Sequence, residues 1–338
     1  MPTAPTPDLR AWTRKLAPYT KPDTTRSVFE LAVTAVPFAI LWVLMWTALD
    51  ADYWTGLLLS LPAAGFLVRL FMIQHDCGHG SFFRSRLAND WLGRAIGVLT
   101  LTPYDFWRQS HALHHANSGN LDRRGIGDVK TLTVREFKAR TRGDQILYRA
   151  YRHPIVLFGL GPAYLFIFRN RFPRGLMQSG WRPWVGTMAT NIAITTLVVV
   201  LMWIVGVGPF LLVQLPITLL AASIGVWLFY IQHQFEETFW EHDECWSFHK
   251  AALHGSSHYD LPSLLRWFTA NIGVHHVHHL SSRIPCYLLP KVLRDHPELR
   301  NVGRLTLLES AKAVRFVLWD EESRRMVSFG EAHAAAKT

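Results

Sequence analysis

Long uncharged apolar runs alternate along this chain with stretches that are rich in arginine and histidine. No charged residue occurs from Leu31 to Leu49, a length that crosses the hydrocarbon core of a bilayer as a helix. A second run, Tyr53 to Ile73, holds one charge, Arg69, whose long side chain we expect to reach the lipid headgroups. Gly206–Pro209 divides a third uncharged stretch, Trp184 to Phe235, into two. The pattern predicts four membrane-spanning helices, over about 29–50, 53–74, 184–205 and 209–233.

The distribution of basic residues predicts how these helices are oriented. The loops 50–52 and 206–209 contain no Lys or Arg, whereas the N-terminus, the 84–182 stretch and the C-terminal region hold nearly all 35. Basic loops stay on the cytoplasmic side of a membrane. We therefore expect an all-α integral, multi-pass protein of the bacterial inner membrane, with both termini cytoplasmic. It would be one domain, 1–338, with four transmembrane helices in two hairpins and a cytoplasmic helical cap from 75–182 and 234–330.

Two other features bear on this picture. Ile155–Phe168 is apolar but too short for a span, and it contains Gly159, Gly161 and Pro162, so we interpret it as an interfacial or re-entrant segment. The net charge is +10. That charge is scattered, without a nucleic-acid-binding module, so it indicates topology and contact with anionic membrane lipids, and no nucleic-acid partner.

Histidines form three tight groups, each next to or between the predicted spans. Their spacings, i to i+4 and i, i+3, i+4, place the side chains of each group on one helix face. The eight residues are His75, His79, His111, His114, His115, His275, His278 and His279. Neutral imidazole binds iron, zinc, copper or nickel, and four ligands saturate a zinc ion, so eight are enough for two metals. Because all three groups fall on the predicted cytoplasmic side, one site can collect them.

A ninth histidine has a similar position. His233 ends the fourth predicted span as His75 ends the second, which favours convergence, although a histidine there could also simply contact headgroups. His276 lies about 100° from the ligand face of its group, so we expect it outside the ligand set. Nearby carboxylates could accept the free N–H of a liganding imidazole. The candidates are Asp76, Asp128, Glu236 and Asp260.

These motifs resemble the three histidine boxes of membrane fatty acid desaturases. The matching strings are His75-Asp76-Cys77-Gly78-His79, His111-Ala112-Leu113-His114-His115 and His275-His276-Val277-His278-His279. Their order, their spacing and the Gln232-His233 end of the fourth span are also similar, so the likeness covers roughly residues 30–290. It implies a non-haem di-iron centre that uses dioxygen and two electrons to form a cis double bond in an acyl chain. The eight box histidines and His233 would be its metal ligands, with no catalytic residue beyond them.

The resemblance also bears on subfamily and partners. The third box begins with His275 rather than the Gln of front-end desaturases, and no cytochrome b5-like haem motif occurs. The chain is more similar to the omega-6 or delta-12 group, although its first box reads His-Asp-Cys rather than the commoner His-Glu-Cys. The substrate would be a lipid-linked or thioester-linked acyl chain. Electrons would come from a separate ferredoxin or cytochrome b5-like donor.

Two alternatives remain at this point. A related di-iron hydroxylase or carotenoid ketolase would use the same arrangement to insert oxygen. A membrane zinc-binding protein or zinc hydrolase would need only three or four ligands.

Overall fold

A computed structural model describes residues 11–125, 127–175 and 180–334 of the chain. Within these ranges most residues are helical. The helices are α1 (Ala11–Leu16), α2 (Thr24–Ala48), α3 (Tyr53–His79), α4 (Arg86–Leu99), α5 (Tyr104–Asn117), α6 (Val134–Lys138), α7 (Arg142–Arg152), α8 (Gly161–Ala163), α9 (Arg182–Val205), α10 (Val207–His233), α11 (Phe248–His254), α12 (Ser263–Phe268), α13 (His275–Leu280), α14 (Leu289–Asp295), α15 (Leu307–Ala313) and α16 (Phe329–Ala334).

Four of these helices, α2, α3, α9 and α10, are long and apolar enough to cross a membrane. They pack as two hairpins, α2 with α3 and α9 with α10, and α3 lies against α10. Many apolar side chains on them face outward; Leu58 is 76% exposed and Trp203 is 85% exposed. An apolar surface of this extent fits contact with lipid. The predicted architecture of four long apolar helices in a mostly helical protein is confirmed, and it indicates association with a membrane.

Capping residues set the ends of the first two long helices. The Asp23 side chain accepts a hydrogen bond from the Arg26 N–H, so α2 begins at Thr24, earlier than expected. The next long helix, α3, does not stop at the end of its apolar run but continues to His79. Gly80, with φ of 68°, ends it in the left-handed conformation that glycine adopts without strain. The second span thus extends into the cap.

Two small sheets, which the sequence did not predict, join distant parts of the cap. The first contains β1 (Leu132–Thr133), β4 (Leu318–Asp320) and β5 (Arg325–Val327), with β1 parallel to β4 and β4 antiparallel to β5. The second contains β2 (His258–Asp260) and β3 (Arg304–Thr306), which are parallel. Each sheet links a segment near a histidine group to the C-terminal part of the chain.

The apolar segment that we interpreted as interfacial folds as a distorted helix. Here α8 is flanked by π-helical turns, Val156–Leu160 and Tyr164–Phe168, and the stretch packs along α10 through Phe158, whose ring contacts Tyr230. On its other face Leu160 is 65% exposed.

The position of Arg69 differs from the expectation, which was wrong. Its side chain does not reach toward headgroups but is 3% exposed inside the helix bundle. The guanidinium forms an ion pair with Glu30 of α2, and donates to Thr34 Oγ1 at 3.0 Å and to the Trp267 carbonyl of α12. A charge within an apolar bundle is costly unless it is paired, and Glu30, just before the uncharged run, provides the partner. This network ties α2, α3 and α12 together.

We expect Arg69→Leu to lower the free energy of unfolding by about 3–5 kcal/mol, because the buried Glu30 carboxylate would lose its buried partner and keep only Arg26, whose side chain is 54% exposed. The double variant Glu30→Leu/Arg69→Leu should recover most of that loss, since it removes both buried charges and leaves only the exposed Arg26 without its partner. Thermal unfolding in a non-ionic detergent measures both. Arg86→Leu, which removes a pair whose arginine side chain is 66% exposed, should cost less than about 1 kcal/mol. Equal melting temperatures for the single and double variants would contradict the buried pair.

Candidate metal centre

The ends of two long helices bring the first histidines together. His75 and His79 lie on one face in the last turns of α3, and their ring centroids are 4.7 Å apart. His233 is the last residue of α10, and its Nε2 lies 3.1 Å from Nε2 of His114 on α5. Because α3 and α10 pack against each other and end on the same side, the cap only has to add α5 and α13 to complete the cluster.

The nine predicted ligands are all in one place, divided into two groups. The first group contains His75, His79, His111, His115 and His278. The second contains His114, His233, His275 and His279, all of them buried. Within each group every member offers a ligand atom that lies within 4.8 Å of those of the others. The two groups adjoin, since the rings of His115 and His279 stack with centroids 4.1 Å apart.

Helical spacing decides which group each side chain joins. In α5, His111 and His115 are four residues apart and share the first group, while His114 turns toward the second. In α13, His275 and His279 share the second group, while His278 turns toward the first. Residues four apart differ by only about 40° around a helix, whereas the third histidine is displaced by about 60–100°. Each of these helices therefore supplies both groups.

The Nε2 atoms have the spacing of ligands around a cation. Consecutive pairs are 3.1 Å apart for His79 and His111, 3.1 Å for His111 and His115, and 3.0 Å for His233 and His275. Imidazole nitrogens about 2.0–2.1 Å from one ion lie about 2.8–3.4 Å apart when their bonds meet at roughly 90–109°. His75 provides a further sign, because both its ring nitrogens are buried without a hydrogen-bond partner.

Two histidines, His114 and His233, each donate a hydrogen bond from Nδ1, which leaves Nε2 of each neutral ring with a lone pair. Nδ1 of His114 donates to the Asp128 carboxylate at 2.5 Å, and Nδ1 of His233 donates to the Gly255 carbonyl at 3.0 Å. A neutral imidazole has one N–H, so each ring presents a lone pair at Nε2. Two lone pairs 3.1 Å apart repel unless a cation lies between them. The residues present therefore fit a bound metal.

Burial keeps the other imidazoles neutral, as metal ligands must be. It lowers the pKa of His111, His115, His275, His278 and His279 well below the usual value, and the neighbouring histidines add to the effect. Burial disfavours the charged form of an imidazole, so these rings take up a proton only at a pH well under 6.5.

The four carboxylates that the sequence suggested have different roles. Only Asp128 accepts from a histidine of the cluster at hydrogen-bond distance. Asp76 Oδ2 accepts from the Cys286 backbone N–H at 2.7 Å, which fixes the segment after α13 to α3. Glu236 pairs with Arg325 and Asp260 pairs with Arg304, both at the surface. The Gly255 carbonyl, which the sequence analysis missed, carries no side-chain signal that could have marked it.

His276 faces away from both groups, as its position in the helix predicted. Its Nε2 donates to the Leu299 carbonyl at 2.9 Å, and its ring packs beside His258. Burial lowers the pKa of His276 to about 3, so this ring stays neutral as well. Its hydrogen bond fixes α13 to the segment that contains Leu299.

Aromatic side chains close the cluster on two sides. The Trp107 ring stacks on His111 with centroids 4.7 Å apart and an angle of 15° between the planes. Phe229, one turn before His233, packs against His114. Trp107 can approach so closely because Gly78 faces it; a Cβ at residue 78 would lie 2.8 Å from Trp107 Cζ3. The absence of a side chain at Gly78 therefore leaves room for the Trp107 ring.

Comparisons with known proteins agree with this arrangement. The family model described as fatty acid desaturase matches residues 51–306. The chain is 48% identical to a fatty acid desaturase of Bacillus subtilis over 317 residues, covering 94% of this chain and 90% of the relative. It is 32% identical to an sn-1 acyl-lipid omega-3 desaturase (ferredoxin) of Synechocystis, over 65% of this chain and 61% of the relative. An sn-1 oleoyl-lipid 12-desaturase of the same organism is 25% identical over 78% and 72%. The chain belongs to the fatty acid desaturase family of oxidoreductases.

Proposed function

We propose that the nine histidines hold two iron ions and that the protein uses dioxygen to introduce a cis double bond into an acyl chain, with omega-6 or delta-12 selectivity. The observation that carries this proposal is the pair of adjoining all-imidazole groups at the ends of two apolar helices. When bound, the iron pair would supply the activation of dioxygen. The dioxygen would take up one hydrogen from each of two adjacent methylenes, together with two electrons and two protons, and would be reduced to two molecules of water.

The ligand count supports iron over zinc. Zinc in proteins is almost always four-coordinate, with four protein ligands in structural sites and three in catalytic ones. The first group offers five imidazoles, more than a tetrahedral ion accepts, and imidazole is also a good ligand for iron. Neither the five-membered group nor a second group beside it fits a single-zinc hydrolase.

The protein's own residues orient the ligands and keep water away. Asp128 and the Gly255 carbonyl fix the ring orientation of His114 and His233, so that Nε2 points inward in both. Trp107 and Phe229 cover the imidazoles with apolar surface. No side-chain acid or base can remove hydrogen from an unactivated methylene of an acyl chain, so the residues would position the substrate and the ions, and the ions would supply the redox chemistry.

The acyl chain would reach the centre from the membrane. Phe71 lies one turn before His75 on α3, and its ring contacts Trp107 and Phe166. These aromatics offer an apolar path between the span and the cluster. Two relatives are named for action on acyl-lipids, which supports a lipid-linked chain over a thioester as the substrate.

We place the cluster, both termini and the cap on the cytoplasmic side of a bacterial inner membrane, in one multi-pass domain. Support comes from the basic residues of the cap and their absence from the loops 50–52 and 206–209. A basic face attracts an acidic electron carrier, and a ferredoxin is the donor we propose, because a relative carries that donor in its name. A cytochrome b5-like carrier is the alternative donor.

The function is tested by expressing the chain in a host that makes monounsaturated but no polyunsaturated fatty acids. We expect new diunsaturated chains with a cis bond, located by mass spectrometry of derivatised fatty acids. Hydroxylated or ketone products in place of the new double bond would contradict desaturation and favour the oxygen-inserting alternative.

Two adjacent buried histidines provide a matched pair of variants. His275→Ala should lose bound iron and all product, because it removes a ligand of the second group, and His114→Ala should behave alike. His276→Ala should keep both iron ions and lose only stability, since its ring contacts Leu299 and His258 instead. Iron content of the purified proteins and product yield in cells measure the difference. Loss of iron in His276→Ala with retention in His275→Ala would contradict the ligand assignment.

Gly78→Ala should reduce product formation by about tenfold to a hundredfold, because the new methyl group displaces Trp107 and with it the stacked His111. Gly225→Ala is the control, since a Cβ there meets nothing within 4 Å and lies in the interior of α10. Product yield at equal protein level is the measurement. Unchanged activity in Gly78→Ala would mean that the position of Trp107 does not matter to the centre.

A further inference from the structure

A cavity lies in the cap next to the third histidine group. It has a volume of about 530 Å³, in the range of pockets that take small molecules. One wall is formed by Gly273 and Val274, the two residues before His275. Its lining includes one histidine, one carboxylate and four arginines: His258, Asp260, Arg266, Arg294, Arg300 and Arg304. None of these residues is a metal ligand in the proposed function.

The lining has more positive charge than its single carboxylate can neutralise. Asp260 accepts from Nη2 and Nε of Arg304, at 2.7 and 3.0 Å. Among the described residues, Arg266, Arg294 and Arg300 form no ion pair with an acidic side chain. His258 adds no charge but holds the wall together, because its Nδ1 donates to the Arg300 carbonyl at 2.6 Å. Three arginines therefore line one cavity without an acidic side chain at ion-pair distance among the described residues. Nearby, the pKa of Asp295 is lowered first by Lys291 and also by Arg294, and Arg300 Nε donates to the Leu293 carbonyl.

Helix α12, which forms part of the cavity wall, packs against α3, one of the helices long enough to span a membrane. Phe268 of α12 packs against Gly65 and Phe66 of α3, and the Trp267 carbonyl accepts from Arg69. These α3 residues precede His75 by six to ten positions, which is about 9–15 Å along a helix toward the apolar part of the span. Arg266, on the same short helix, thus lies near the depth of the lipid headgroups.

Exposed leucines lie on the two short helices that follow the strands of the cavity wall. Because β2 and β3 are parallel, the chain leaves both strands in the same direction, into α12 and α15. Leu264 of α12 is 66% exposed and Leu308 of α15 is 83% exposed, and each has an exposed leucine neighbour, Leu265 and Leu307. Apolar side chains next to arginines are the composition of a surface that contacts lipid at the headgroup boundary.

We propose that this cavity binds the phosphate group of an anionic membrane glycerophospholipid. Guanidinium groups bind phosphate oxygens through paired charge-assisted hydrogen bonds, and the leucines would contact the acyl chains of the same molecule. A soluble phosphate compound would use the arginines but not the leucines, which is why we assign the site to a lipid. The assignment goes beyond the proposed function and does not depend on iron or on catalysis.

The test is calorimetric titration of the full-length protein, in a non-ionic maltoside detergent, with short-chain phosphatidylglycerol. Arg266→Gln/Arg294→Gln should weaken binding by about tenfold or more, since each lost guanidinium removes charge-assisted hydrogen bonds to phosphate. Both side chains are exposed, so the substitutions leave the packed core intact. The matched control, Arg135→Gln/Lys138→Gln, removes the same charge from exposed positions of α6 and should change the affinity less than about twofold.

Two further titrations of the unchanged protein separate the possible sources of phosphate. Short-chain diacylglycerol, which has the leucine-binding chains but no phosphate, should not bind measurably. Inorganic phosphate should bind far more weakly than the lipid. Equal affinity for lipid in the Arg266→Gln/Arg294→Gln variant and the unchanged protein would overturn the site, and inorganic phosphate binding as tightly as the lipid would overturn its assignment to a membrane lipid.

Discussion

The structure depends on the convergence of imidazole Nε2 atoms from four separate helices. Buried polar atoms are costly when they lack partners, by about 1–3 kcal/mol each, and His75 is buried with neither ring nitrogen hydrogen-bonded. Where the outer nitrogen is fixed by an acceptor, as in His114 and His233, the inner lone pairs oppose each other. A cation between them would remove this repulsion. Without one, the fold around the cluster has to hold the four helices in place.

Helix α3 fixes the segments on both sides of the third histidine group. Before the group, Arg69 bonds to the Trp267 carbonyl in α12, and behind it Asp76 accepts from the Cys286 N–H. The two contacts lie on either side of α13 in the chain and are made by residues of one helix. As α3 also carries His75 and His79, the first and third groups are positioned relative to each other by a single rigid element. The buried ion pair with Glu30 extends this connection to α2.

Much of the centre could be predicted because its signals are local. Uncharged runs predict spans, and i, i+3, i+4 spacing predicts ligand faces, so all nine histidines were found without coordinates. The division into five and four also follows from helix geometry, although the sequence does not tell which faces meet. What it could not give depends on distant partners: the pairing of Arg69 with Glu30, the two sheets of two- and three-residue strands, and the backbone carbonyl of Gly255. Asp76 shows the same limit, since it lies next to a ligand yet bonds a residue far along the chain.

The two groups contain five and four histidines, and this difference bears on whether the centre suits zinc or a pair of redox-active ions. Taken alone, the four imidazoles of the second group would suit a closed tetrahedral zinc ion, and three would suit a catalytic one. The first group does not fit that interpretation, because its five imidazoles are more than a tetrahedral ion accepts and adjoin the other four, so the two groups could hold two ions. Two ions held by these imidazoles, beside Trp107 and Phe229 and where two apolar helices end, would fit the redox chemistry that we propose. A single-zinc hydrolase would need only one ion with an open position, and neither the second group nor the apolar surroundings.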